Sequence, residues 1–351
     1  MNQKKSTLAS VAQLAGVSIK TASRVVRREP NVSASTRHRV EEAMRAVSYR
    51  PSIAARATVG SRSYLIGLVF DNPNSNYIVD LLRGAMHQTR EEGYHLIVEP
   101  IRSQDASMIH ELRRLVIQSN LDGIVLPPPI CDLPEVLEVL KEQSTPYVKI
   151  ASSESPSGGL SVGMDDVSAA MAMTSHLTDL GHTDIGFILG RQGTATTSRR
   201  FEGFQRAMRG RGIAVKPEYI YEGDYTFKAG LLAGEQFLNL ASPPSAIFAS
   251  NDEMAAGVTM AALGRNLVVP DDISIAGFDD SPISTMIWPP LTTIRQPIQA
   301  ISQKAISLLI NDLREIENED ANPTLPFDLI VRGSTAPPSI AHANIKLSGS
   351  S

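Results

Sequence analysis

From Tyr64 onward the chain alternates short apolar runs with amphipathic stretches, and this alternation limits the possible folds more than any other feature. YLIGLVF (64–70), YHLIV (94–98), GIVLP (123–127) and YVKIA (147–151) form one series. DIGFILG (184–190), YIYEG (219–223), AIFAS (246–250) and ISIAGF (273–278) form a second. Helical stretches such as Tyr77–Glu92 and Met108–Gln118 lie between them. Apolar runs of strand length separated by helices predict parallel sheets with helices on both faces. Eight strands in two groups predict two similar lobes rather than one large sheet.

Two such lobes joined by crossing segments leave a cleft, and in open parallel sheets ligands bind beyond the carboxyl ends of the strands. Polar groups concentrate at those ends. DNPNSN (Asp71–Asn76) follows the first strand, Ser250-Asn251-Asp252 follows another, Asp279-Asp280 follows AGF, and Arg200 lies near the start of the helix after ILGRQGTATTS. Asp252 and Asp280 read as helix caps, given the helix or turn that follows each. Trp288 reads as a pocket-mouth residue or as packing between lobes. His182 reads as structural at a helix C-terminus, and Pro127–Pro129 as a rigid turn without chemistry.

The first fifty residues have a different character. In VAQLAGVSIKTASRVV (Val11–Val26), Leu8, Val11, Ala12, Leu14 and Ala15 fall on one helical stripe, and Gly16 ends that helix where a left-handed backbone is cheap. Val17 plugs the corner, and Ser18 can cap a second helix whose Ala22, Val25 and Val26 face inward. This is a helix-turn-helix whose second helix exposes Ile19, Lys20, Ser23, Arg24 and Arg27. Ser33 caps a third helix carrying Val40, Ala43, Met44 and Val47. Residues 1–62 hold twelve basic and three acidic side chains, a net +9, which leaves −13 for the remainder of a chain of formal charge −4. A basic head on an acidic body is the footprint of a polyanion-binding module. A helix with short polar and basic residues at its N-terminal end fits the major groove of duplex DNA.

Residues 49–63, YRPSIAARATVGSRS, predict a linker with about two helical turns, which order only against a partner or DNA. One cysteine, Cys131, excludes an internal disulfide framework and a cysteine-based zinc site. No signal-peptide pattern and no membrane-spanning run are found, so a cytoplasmic protein with no membrane role is expected. The sequence lacks GxGxxG opening a βαβ unit, GxxxxGK[ST], GxSxG and HExxH. No catalytic residue, metal ligand or cofactor is therefore expected, and an enzyme is disfavoured.

These motifs together resemble the LacI/GalR family of bacterial transcription regulators. The resemblance runs over about residues 7 to 335: VAxLAGVSxxTxSRV at Val11–Val25, YxPSxxAR at Tyr49–Arg56, IGLV at Ile66–Val69, LGHxxIGFI at Leu180–Ile188, RFEGF at Arg200–Phe204, SNDEMAAG at Ser250–Gly257, and ISIAGFDDSP through LTTIRQP at Ile273–Pro297. It implies a lambda-repressor-like all-α helix-turn-helix domain followed by an α/β core of two parallel-sheet lobes similar to periplasmic binding proteins.

The expected organisation is a head at 1–50, a hinge at 51–63, a core at 64–340 and a tail at 341–351. Within the core the first lobe would be about 64–161 plus 293–322, and the second about 162–292 plus 323–340. The resemblance implies a homodimer on a pseudo-palindromic double-stranded operator, with half-sites about 34–36 Å apart or a small multiple. No leucine heptad follows at the C-terminal end for higher assembly. DNA contacts are expected from Ser18, Ile19, Lys20, Thr21, Ser23, Arg24 and Arg56. Arg24 can reach guanine with two hydrogen bonds, worth about 1–3 kcal/mol of discrimination. Where the family usually places a hinge leucine to wedge the minor groove, this chain has Thr58, with Val59 as a substitute. Effector contacts are expected from Asp71, Asn76, Arg200, Tyr225, Asn251 and Asp279, a set suited to the hydroxyls and C–H face of a mono- or disaccharide. The implied role is a repressor of carbohydrate genes released by a small sugar. The alternatives are a corepressor-dependent regulator and a sugar-binding protein with no DNA role.

Overall fold

The computed structural model describes residues 7–26, 32–47, 49, 62–150 and 159–339. The chain divides into two compact units, Met1–Tyr64 and Leu65–Ser351. The hinge candidates Arg56, Thr58 and Val59, and the tail at 341–351, lie outside the described residues.

The head contains helices α1 (Leu8–Ala15), α2 (Ile19–Val26) and α3 (Ala34–Ala46). Thr7 caps α1 by accepting from the Ser10 amide, and Ser10 reciprocates at the Thr7 amide. Gly16 ends α1 at φ 62°, a conformation that costs a residue with a Cβ about 1–2 kcal/mol. That choice brings Val17 back onto the core formed by Val11, Ala12, Ala15, Ala22, Val25, Val40 and Ala43. Leu14 departs from the sequence expectation and is 56% exposed. At 3.6 residues per turn it lies more than a quarter-turn from the centre of the stripe made by Leu8, Val11, Ala12 and Ala15.

The second unit opens with β1 (Leu65–Phe70), α4 (Ser75–Glu91), β2 (His95–Pro100), α5 (Met108–Ser119), β3 (Gly123–Leu126), α6 (Pro134–Glu142), β4 (Tyr147–Ile150) and β5 (Leu160–Met164). It continues with α7 (Asp166–Asp179), β6 (Ile185–Leu189), α8 (Ala195–Gly210), β7 (Ile220–Glu222), α9 (Phe227–Leu238), β8 (Ala246–Ala249), α10 (Asp252–Leu263), β9 (Ser274–Ala276) and α11 (Ile283–Met286). The last elements are β10 (Thr293–Arg295), α12 (Ile298–Leu313), β11 (Thr324–Leu325) and β12 (Asp328–Ile330).

One sheet has the order β11-β5-β4-β3-β1-β2 and the other β7-β6-β8-β9, with all pairings parallel. β10 and β12 add an antiparallel pair, and isolated bridges Ala276–Thr292 and Asp279–Arg295 join β10 to the second sheet. The strands β1, β3, β6 and β8 are buried nearly throughout, which explains why they read as unbroken apolar runs.

The expected lobe boundaries shift three residues along the chain. β5 reaches Met164 within the first sheet, β10 stays with the second sheet to Arg295, and β11 returns to the first sheet through Leu325. The crossings therefore follow residues 164, 295 and 325 rather than 161, 292 and 322. Strand pairing decides this, and the short strands β5, β10, β11 and β12 carry too little apolar periodicity to be found from sequence. No described helix is long and apolar enough to cross a membrane.

Candidate functional site

In each sheet the order reverses between the first and third strands, β1/β3 in one and β6/β8 in the other. At such a switch point the loops leave in opposite directions and open a crevice at the carboxyl ends. The two crevices face each other, and their loops line one cavity. Asp71, Asn72, Pro73, Asn74, Tyr77, Pro128 and Pro129 come from the first lobe, and Arg191, Thr194, Thr196, Arg200, Tyr225, Asn251, Asp279 and Gln296 complete the lining.

Five of the six expected effector residues, Asp71, Arg200, Tyr225, Asn251 and Asp279, meet there. Asn76 does not. It sits in the first turn of α4 and donates from Nδ2 to Glu253 Oε1 at 3.2 Å, beside the cavity rather than in it. Asn74 takes the expected place. Its Oδ1 caps α4 by accepting from the Asn76 and Tyr77 amides, which leaves Nδ2 to donate to Asp279 Oδ2 at 3.0 Å.

The floor of the cavity is built around Arg200, which is 5% exposed. Its Nε donates to Asp166 Oδ1 at 2.9 Å, its Nη1 to the Ser250 carbonyl at 2.7 Å, and its guanidinium lies 3.7 Å from the centre of the Phe278 ring. Asp279 Oδ1 is 3.9 Å from Nη1 and accepts from Gln296 Nε2. A buried cation is tolerated only when paired and hydrogen-bonded, and these contacts meet that condition.

Asn251 caps α10 through Oδ1 on the Met254 amide, and its Nδ2 donates to the Tyr225 carbonyl at 3.0 Å. That bond supports Tyr225 at φ 72°, which directs its ring over Gly190, where any Cβ would lie 2.0 Å from the ring. The Tyr225 hydroxyl meets Thr197 Oγ1 at 2.8 Å. The result is an aromatic wall above a floor of fixed polar groups, the combination that holds a ring with one apolar face and hydroxyl edges.

Burial pushes the Asp279 carboxyl up to about 7, against the pull of Arg200 and the Gln296 hydrogen bond, while Glu253 and Asp166 add to the rise. A proton held more tightly by the folded core than by the unfolded chain stabilises fully below about pH 4, and its contribution is lost as pH rises through about 7. Asp279→Asn removes this slope. Between about pH 5.5 and pH 8 the variant is expected to gain on the parent by on the order of 2 kcal/mol, read as diverging melting temperatures in scanning calorimetry. Parallel curves would contradict the assignment.

Several sequence readings change. Asp252 and Asp280 are not caps; Asn251 caps α10, and α11 follows Pro282 without a side-chain cap. Buried Asp252 accepts from the Ser281 amide at 2.7 Å and Thr293 Oγ1 at 2.6 Å. Asp280 accepts from Arg295 Nε at 2.7 Å and Arg332 Nη2 at 2.6 Å. Both fasten the loop carrying Asp279, which stands at φ 121°. His182 is buried, but its ring serves no helix C-terminus: it joins Ser245 Oγ at 2.8 Å and the Ala336 carbonyl at 2.8 Å, fixing the last segment to the second lobe. Trp288 neither lines the cavity nor packs between lobes; it is 87% exposed. Pro128 and Pro129, read as a turn without chemistry, form a cavity wall. They and Arg191 were findable, because each follows a strand legible in the sequence; Gln296 was not, because it follows the short β10.

In the head, Ser18, Ile19 and Lys20 are exposed at the start of α2, while Thr21, Ser23 and Arg24 are half-buried. Ser18 Oγ accepts from the Thr21 amide at 3.0 Å and meets Thr21 Oγ1 at 2.9 Å, so these two hydroxyls first serve the helix start. Lys20 and Ile19 stand outward on the next positions.

Comparison with known proteins adds three findings. Residues 7–52 match the model of bacterial regulatory proteins of the lacI family, and residues 174–335 match the periplasmic binding protein-like domain. The chain is 33% identical over 331 residues to catabolite control protein A of Priestia megaterium, covering 94% of this chain and 99% of the relative. Among solved structures, the lac repressor dimer bound to operator and the anti-inducer ONPF superposes with TM-score 0.76 at 28% identity, over 95% of this chain and 100% of the other. The transcriptional regulator CelR in complex with cellobiose superposes with TM-score 0.72 at 26% identity, over 94% and 99%.

Proposed function

Because the chain belongs to the lacI family of bacterial regulatory proteins, we propose that it is a DNA-binding repressor of carbohydrate genes whose grip on its operator is weakened by a small sugar in the interlobe cavity. The observation that carries this reading is the joining, in one chain, of a basic helix-turn-helix head to a two-lobed core whose cleft holds Arg200, Asp279, Asn251 and Tyr225 around one cavity. The cellobiose bound to the structural relative supports a saccharide as the ligand class. Lys20 and Arg24 read bases from the major groove, with Ile19 against a thymine methyl. Ser18, Thr21 and Ser23 flank them, and Arg56, from the hinge segment, adds a further DNA contact.

The effector must prefer one arrangement of the lobes and the operator the other, since a ligand with equal affinity for both shifts nothing. The test is fluorescence anisotropy on a duplex selected from a random pool. A binding saccharide, identified by its effect on the melting temperature of the core, is expected to weaken operator binding at least about tenfold, within the range usual for coupled sites. If every saccharide leaves affinity unchanged and another metabolite alters it, the sugar reading is wrong.

The working form is a homodimer, as in the operator-bound relative. Met286 and Trp288 are 78% and 87% exposed, an apolar pair suited to burial against a second copy. Trp288→Asp is expected to shift the chain toward monomer in sedimentation experiments at micromolar concentration, with the melting profile of the lobes retained. An unchanged dimer would place the interface elsewhere.

A further inference from the structure

At the outer end of the effector cavity, Arg191 Nη1 donates to Asp71 Oδ2 at 2.9 Å. The two side chains are 28% and 18% exposed, against 6% and 12% for Arg200 and Asp279, so this pair faces solvent and the Arg200 group forms the floor. Asp71 follows β1 of the first lobe and Arg191 follows β6 of the second, so the bridge spans the cleft. Asp71 is anchored: both the amide and the hydroxyl of Ser103 donate to the same Oδ2. Burial works to raise the Asp71 carboxyl, but the Ser103 hydrogen bonds and the Arg191 charge outweigh it and hold it below the usual carboxylate range.

A second cross-cleft contact lies beside the proline wall. Asp132 Oδ2 accepts at 3.3 Å from the amide of Ala195, the first residue of α8, while its Oδ1 is buried without a partner. The cavity that Asp71 and Arg191 help line holds about 50 Å³. One water needs roughly 10–15 Å³ by the same measure. That is room for about three to five waters, on the order of one sugar ring, and a second ring extending toward Asp71 and Arg191 would meet their bridge.

We propose that the Asp71–Arg191 bridge is a gate that restricts the effector site to one sugar ring, closing over a monosaccharide and excluding the second ring of a disaccharide. This rests on the saccharide reading above. It departs from what is seen in the cellobiose-bound relative, and it makes Arg191 the specificity-determining residue at the cavity mouth. The gate is electrostatic and partly exposed, so it opens more readily as salt is raised.

The test compares the 351-residue parent with Arg191→Ala and Asp71→Asn. One arm measures affinity for D-ribose, D-glucose and D-galactose and for cellobiose, maltose and lactose by calorimetry. The expected result is that the parent binds one or more of the monosaccharides and none of the disaccharides, while Arg191→Ala gains at least tenfold in affinity for a disaccharide built from that sugar. A disaccharide that binds the parent as well as Arg191→Ala overturns the gate, and so does continued exclusion of disaccharides by Arg191→Ala.

The second arm needs no sugar. Hydrogen exchange at the Ala195 amide is expected to quicken several-fold in Arg191→Ala and Asp71→Asn, with sheet amides such as those of Leu68 and Phe187 unchanged. If no sugar binds any variant, the saccharide reading fails and this arm decides the gate. Quickened exchange keeps it as a closure over another ligand, and unchanged exchange removes it.

Discussion

Replacing Lys20 and Arg24 together by alanine is expected to cost at least about a hundredfold in affinity for the selected operator. Each head loses contacts worth about 1–3 kcal/mol apiece, and a dimer has two heads. The salt dependence reports which contacts were lost. Each phosphate contact removed flattens the log–log slope by about 0.9, whereas loss of a base contact relaxes sequence preference at one position of each half-site. Neither side chain belongs to the buried core of the head, which consists of Val11, Ala12, Ala15, Ala22, Val25, Val40 and Ala43. The double variant should therefore melt as the parent does. Operator binding of unchanged strength and selectivity would mean that α2 is not the reading helix.

Removing Arg200 should produce the largest loss of stability in the core. Arg200→Ala leaves Asp166, itself 2% exposed, and Asp279 without their shared cation. Breaking a buried pair on one side costs about 3–5 kcal/mol, because the remaining charge stays buried. For a unit of this size that corresponds to a fall in melting temperature on the order of 10 °C. The variant should also lose its response to any effector, since the cavity floor is gone. Arg200→Lys keeps the charge but not the forked donors to Asp166 and the Ser250 carbonyl. It should recover part of the stability and little of the ligand response. Equal recovery of both would assign Arg200 a purely structural role.

How much of this was legible in the sequence depends on the length over which each signal is repeated. Long signals survive: the strand–helix alternation from Tyr64 and the Gly16 corner with its Ser18 and Ser33 caps all appear where their residues imply. The strand-end rule pointed to Asp71, Arg200, Asn251 and Asp279, the family resemblance added Tyr225, and all five line one cavity. Short or tertiary signals do not survive. β11 has two residues, and its place in the first sheet is set by pairing with β5, 161 residues earlier in the chain. Within DNPNSN the sequence reading took Asn76, whereas Asn74 lines the cavity, because the outcome turns on which asparagine caps α4. The bridge from Arg191 to Asp71 joins residues 120 apart, and nothing local to either names the other. Trp288 shows the reverse case: a residue type that usually seeks burial stands 87% exposed, and nothing local in IWPPLTT announces it.

The most direct measurement is reciprocal linkage between the two ends of the chain. The affinity of the dimer for its operator is measured with and without saturating sugar, and its affinity for the sugar with and without saturating operator, in the same buffer. If cleft occupancy and groove recognition share one conformational equilibrium, the two ratios must agree, each at least about tenfold and in the weakening direction. Sugar binding that leaves operator affinity within twofold, or a tight sugar site indifferent to DNA, would show two independent binding modules and contradict the account.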